Sequence, residues 1–271
     1  MSGFLPKAVI GICLVAVGAA GAMFFAGPAG EPKVNVDTEA TTAEPTTLAE
    51  GPTSQQPQPP VADAPPFDPE APVVVPDGSP EELMLFVGQL QRNEGQARAL
   101  GAEAYFPYLR KSKQATLEVA DKILQSDPEG EMLTNAFAMK LDSLRTLGLL
   151  NQLATDNGVD YWTQTVECFN EFAEKHPDQI TDDLSNFKTY AMCFQTKDMN
   201  AEEATEVVKE IKAQMLAGEI DADDVAMAQT LCSVLETPGK FELAAHTNRD
   251  FAKLFRDHGD GQIAPLGAKF D

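Results

Sequence analysis

Residues 79–90 read Ser79-Pro80-Glu81-Glu82-Leu83-Met84-Leu85-Phe86-Val87-Gly88-Gln89-Leu90. A serine able to cap, a proline at the first helical position and a glutamate three residues after the cap together mark a helix start. Leu83, Phe86, Val87 and Leu90 then recur at helical spacing and define one apolar face. The same grammar repeats to the C-terminus. A second helix is predicted from about Ala102 to Ser126, with Pro107 marking either its start or a kink and Asp127-Pro128 ending it. A third runs from about Glu131 to Thr155 on Leu133, Phe137, Leu141, Leu144 and Leu147, and Asn157-Gly158 closes it.

A fourth helix groups Trp162, Val166, Phe169 and Ala173 and stops at His176-Pro177, and a fifth carries Ile180, Leu184, Phe187, Ala191 and Phe194. Asn200 and Glu203 form a second capping box, opening a sixth helix on Ala204, Val207, Val208, Ile211 and Met215 that Gly218 ends. A seventh, about Ala222 to Leu235, follows acidic residues suited to a helix N-terminus. An eighth spans about Lys240 to His258 and breaks at Gly259-Asp260-Gly261. No convincing strand pattern lies between them. The predicted fold class is therefore all-α: about eight antiparallel helices in a repeat-like array of helical hairpins over residues 79–271, behind an N-terminal transmembrane helix and a disordered stalk. Residues 115–128 and 168–178 each hint at the second helix and closing proline of a tetratricopeptide unit, but the remaining positions of that pattern are not met.

Upstream the composition changes. Of the chain's 19 prolines, 12 fall between Pro28 and Pro76. Residues 27–78 show no hydrophobic period and too few apolar residues to offset the entropy of ordering, so they are expected to form a proline-rich disordered stalk. Such a segment reaches about 150 Å if stiff and about 40 Å as a coil. Val73-Val74-Val75, bracketed by Pro72 and Pro76, is read as linker in preference to a short docked strand. Residues 1–26 hold one lysine, Lys7, followed by an uncharged run from Ala8 to Ala26. At 1.5 Å per residue that run covers about 28 Å, close to the hydrocarbon thickness of a bilayer. It exceeds the usual apolar core of a cleaved signal, so an uncleaved anchor is favoured, with cleavage at Ala20-Gly21-Ala22 left open. Lys7 on the inner side directs the rest of the chain outward. The expected location is a single-pass inner-membrane protein, held through residues 8–26, with its helical domain in the periplasm or outside the cell.

The formal net charge is −22, spread over both parts of the chain. A basic footprint for nucleic acid is missing, and adhesion to an anionic lipid surface is disfavoured. No residue set is identified as catalytic, cofactor-binding or metal-binding. Cys13, Cys168, Cys193 and Cys232 make no C-x-x-C pair; the last three are read as buried thiols, with one disulfide among them left open. Cys13 follows Gly11-Ile12, a faint lipoprotein-like pattern with too few apolar residues before it. His176, His246 and His258 form no helical metal motif, and His176 and His258 suit helix C-termini. Asp257 to Ile263 resembles a calcium loop only until Gly261 is aligned with the invariant glycine, which puts Arg256 first and Gly267 last. Asp221, Asp223 and Asp224 are explained as N-terminal acids of a helix. Trp162, Phe169 and Phe172 are read as core in preference to a peptide groove.

Residues 78–91 (GSPEELMLFVGQLQ), 119–150 (VADKILQSDPEGEMLTNAFAMKLDSLRTLGLL) and 239–270 (GKFELAAHTNRDFAKLFRDHGDGQIAPLGAKF) resemble the helical region that precedes the thioredoxin domain in planctomycete TlpA-like thiol-disulfide oxidoreductases. The likeness covers roughly residues 79–271 and rests on patterning. It implies an exported bacterial protein with a helical module. It does not imply redox activity, because the family's C-x-x-C has no counterpart here. The leading expectation is a membrane-tethered interaction or scaffold module without catalytic residues, presenting a surface to an envelope protein of unknown identity. The alternatives are the accessory helical part of a split or truncated thiol-disulfide oxidoreductase, and a small-ligand or lipid binder with an apolar cavity between helices.

Overall fold

The computed structural model describes residues 67–153 and 158–270. The segments read as anchor and as the greater part of the stalk, with Cys13, lie outside the described residues. The chain divides into two units, Met1–Asp68 and Pro69–Asp271, and the second is the helical array. Among the described residues it contains eight α-helices and no strand. These are α1 (Pro80–Ala99), α2 (Ala102–Gln125), α3 (Gly130–Leu153), α4 (Tyr161–Lys175), α5 (Asp182–Gln195), α6 (Ala201–Ala217), α7 (Ala222–Leu235) and α8 (Phe241–Arg256). Two 3-10 segments, Pro177–Gln179 and Ala264–Phe270, precede α5 and follow α8.

Local chemistry sets the helix starts. The Ser79 hydroxyl accepts from the Glu82 N–H at 3.4 Å, and the Glu82 carboxylate accepts from the Ser79 N–H at 2.8 Å. The same reciprocal box is made by Asn200 with Glu203 and by Asp221 with Asp224. Asp160 and Thr181 cap α4 and α5 through their side-chain oxygens. Each box satisfies donors that the first helical turn leaves without a partner. Gly101, at φ +105°, turns the chain between α1 and α2 in a conformation that side chains rarely adopt. Pro107 neither starts nor divides α2: the helix runs through it from Ala102.

Packing proceeds as a relay. Neighbours in sequence pack from α1 through α6 and again between α7 and α8, while α3 also packs on α5, α5 on α7 and α6 on α8. The buried side chains fall into successive clusters. Leu83, Val87, Val119, Ile123 and Ala136 join α1, α2 and α3. Leu133, Phe137, Leu141, Phe169, Phe172, Leu184 and Phe187 join α3, α4 and α5. A third and largest cluster runs from Met192 and Cys193 of α5 through α6, α7 and α8 to Phe270. A smaller cluster of Leu144, Leu147 and Tyr161 joins α3 and α4, so among the described residues α3 contributes to three clusters and α4 and α5 to two each.

The second unit takes in the residues just ahead of Ser79. Residues 69–78, read from the sequence as stalk, lie against α1 and α2, where Val75 packs on the first cluster. The linker reading of Val73–Val75 is corrected to a docked segment of irregular extended chain, not a strand. The physical reason is that α2 supplies two lysines able to hold its backbone.

Candidate interaction surface

Lys111 and Lys122 stand eleven residues apart on α2 and reach the same docked segment. Lys111 Nζ donates to the Glu70 carbonyl at 2.8 Å and the Pro69 carbonyl at 3.4 Å. Lys122 Nζ donates to the Pro76 carbonyl at 3.3 Å and pairs with Asp77 Oδ1 at 3.1 Å. The hydrogen bond to Asp77 holds the Lys122 ammonium above its ordinary pKa. Between the two lysines the segment alternates: Val73 and Val75 are half-buried, and Val74 is 75 % exposed. None of these contacts is carried by a motif, and they join residues more than forty positions apart.

A second polar grouping ties the first three helices together. The Ser112 hydroxyl donates to Glu94 Oε1 at 2.7 Å, Lys113 pairs with Asp142 at 3.1 Å and approaches Glu94 at 4.0 Å, and Arg145 donates to Asp142 at 3.3 Å. The Arg145 guanidinium also lies over the rings of Phe187 and Tyr190, 5.2 and 5.6 Å from their centroids. The Lys113 side chain is only 15 % exposed. Burial alone would lower its pKa, but the Asp142 and Glu94 carboxylates outweigh burial and hold it above the ordinary lysine value. Each of these charges has an opposite charge beside it, so the group holds helices together and leaves no bare charge pointing into a cleft.

Lys240, 5 % exposed, is the third polar feature. Its ammonium donates to the carbonyls of Thr196 at 2.7 Å, Lys197 at 2.6 Å and Met199 at 2.8 Å, where α5 ends. All three of its protons are satisfied, and the positive charge sits at the negative end of the α5 dipole.

The residues weighed from the sequence are placed as follows. Cys168, Cys193 and Cys232 are free thiols. Cys193 and Cys232 share the third cluster. Burial pushes the Cys193 thiol far up, with Cys232 adding to it, and burial with Glu236 pushes Cys232 up to about 12. Burial also raises Cys168, against the opposing pull of Lys140. Such thiols are inert at neutral pH. His176 caps α4 and lies 4.9 Å from the Phe172 ring, His246 Nδ1 meets the Glu242 carbonyl in its own helix, and His258 follows the end of α8. Among the described residues none of the three belongs to a group of three possible metal ligands.

Asp221 caps α7 by accepting from the Asp223 and Asp224 N–H groups. In the stretch from Asp257 to Ile263, Asp260 accepts from the Gln262 N–H at 2.6 Å while Ile263 is buried, which makes the stretch a helix stop. Among the described residues no three His, Cys, Asp or Glu side chains gather as metal ligands. Phe169 and Phe172 are buried around Phe137, with Phe172 stacked on it at 3.7 Å, so they do not line a groove. Trp162 instead stacks on Phe194 at 4.4 Å, against the α3 backbone at Gly148.

Two hollows lie on the surface of the described residues between α6 and α8. One, of about 480 Å³, lies between the starts of α6 and α8, beside Phe241, which is 60 % exposed. The other, of about 390 Å³, lies between the ends of the same helices, beside Leu216 and Leu254. Both are shallow. Among the described residues no helix is long and apolar enough to cross a membrane. Set against family models, curated proteins and solved structures, the chain matches none.

Proposed function

We propose that this chain is a membrane-tethered helical interaction module, anchored in the inner membrane through residues 8–26 and presenting its array on the periplasmic side to an envelope protein. In this reading the eight helices run as antiparallel hairpins and act by surface contact, not by chemistry. The observation that carries it is the relay of next-but-one helix contacts, α3 on α5, α5 on α7 and α6 on α8. Stacking of this kind builds an extended surface from repeated units, the geometry that helical repeat proteins use to hold partners. A second support is α2, which already holds an extended chain segment on its outer face by backbone contacts.

The test is affinity capture from detergent-solubilised membranes, with the full chain as bait beside a chain ending at residue 78. The expected result is a set of proteins retained only by the full chain. Identical sets from both baits would sink the reading.

A further inference from the structure

We propose that the groove between α1 and α2 is a binding site for extended, proline-bounded aliphatic peptides, held shut by the chain's own residues 69–77. The inference deepens the interaction reading and rests on it.

The resident segment displays the chemistry the groove takes. Alternation of half-buried Val73 and Val75 with exposed Val74 is the signature of an extended chain lying on a surface. Val75 packs against the first cluster, whose buried members are Leu83, Val87, Val119, Ile123 and Ala136. The lysine spacing matches. Eleven residues of α-helix separate Lys111 from Lys122 by about 16 Å. The six residue steps from Glu70 to Pro76 cover about 19 Å at polyproline spacing. The two ammonium groups therefore hold the ends of one extended segment.

Three of the four lysine contacts go to backbone carbonyls. Backbone contacts are indifferent to sequence, and the alternate valines supply selection. Extended-peptide recognition divides its labour in the same way. Pro72 and Pro76 restrict the segment before it docks, which lowers the entropy lost on binding. The closure is shallow: Asp77 is fully solvent-exposed, and exposed ion pairs hold weakly. A second segment of the same pattern, supplied by a partner, therefore competes for the groove.

The experiment uses the full chain in detergent and a fluorescein-labelled synthetic peptide, PEAPVVVPDG, corresponding to residues 69–78. Binding is read by fluorescence anisotropy. The double variant V73D/V75D removes the resident anchors and is expected to bind the peptide at least tenfold more tightly than the unaltered chain. A control peptide carrying serine in place of both Val73 and Val75 is expected not to bind. Adding K111A/K122A to the released chain is expected to weaken binding at least tenfold.

The milder variant V75S is measured in parallel, and circular dichroism reports whether each variant keeps its helices. A released, helical chain that binds neither peptide, or binds both alike, overturns the proposal. So does loss of helical structure in both variants, because the segment would then be core instead of a removable occupant. Failure here together with selective capture from membranes removes the groove and leaves the interaction module standing. Failure of the capture removes the module itself.

Discussion

Gly148 of α3 and Trp162 of α4 touch so closely that a methyl carbon added at position 148 would stand 2.7 Å from the indole ring. The ring cannot retreat, because Phe194 of α5 is stacked on it at 4.4 Å and 9°. One side chain thus joins three helices. Replacing Gly148 by Ala gains about 1 kcal/mol of helix propensity. Overpacking costs about 1–3 kcal/mol, and with the ring pinned the upper half of that range applies. Gly148→Ala is expected to lower stability by about 1–2 kcal/mol in urea unfolding. The chain's single tryptophan reports it directly: a shift in native emission accompanies the loss, and unchanged stability would refute the close contact.

Removing the Lys240 ammonium leaves the carbonyls of Thr196, Lys197 and Met199 without its three protons. Buried polar groups stripped of a charged partner cost roughly 2–4 kcal/mol. Lys240→Met keeps most of the side-chain volume and is expected to show that loss in denaturant unfolding. An effect below about 0.5 kcal/mol would mean the end of α5 is hydrated.

Lys113 gives a pH signature. Its pKa is raised in the folded state by Asp142 and Glu94. A raised lysine stabilises the fold fully below its unfolded value, near 10.4, and that contribution is lost as pH rises through the folded value. The stability gap between the unaltered chain and Lys113→Met is therefore expected to be about 1–3 kcal/mol and equal at pH 7 and pH 9. It narrows only above about pH 10.5. A gap that already closes between pH 7 and pH 9 would contradict the assignment.

With its thiol pushed up to about 12, Cys232 is a thiolate in about one molecule in ten thousand at pH 8. Cys193 is held higher still. Iodoacetamide is expected to label neither in the native chain and both after denaturation, as read by peptide mass mapping. Labelling of either one in the native chain would show that the third cluster opens readily. Failure to label both after denaturation without reductant would reveal a disulfide.

The helices were legible because their signals are local. Ser79 with Glu82 and Asn200 with Glu203 cap as read, and the apolar faces Leu133–Phe137–Leu141–Leu144–Leu147 and Leu184–Phe187–Ala191 are buried. Pro107 does not mark the start of α2, which runs from Ala102 and carries the proline inside it, one ladder hydrogen bond short. The lysine-held segment, the Lys240 cage and the Gly148–Trp162 contact left no mark in the sequence. Each joins residues 14 to 46 positions apart, and each depends on how parts distant in the chain meet. A lysine eleven residues from another on a helix looks like any solvated charge until a backbone arrives beside it. For the same reason residues 69–78 read as stalk: the segment is ordered by α2, not by itself.

The sharing of α3, α4 and α5 between clusters has a consequence for how the protein comes apart. Among the described residues no cluster spans the whole array, and each is completed by helices near it in the chain. Heating or pulling the array should peel it from its termini in separable steps, and a lesion near one terminus leaves the far terminus intact.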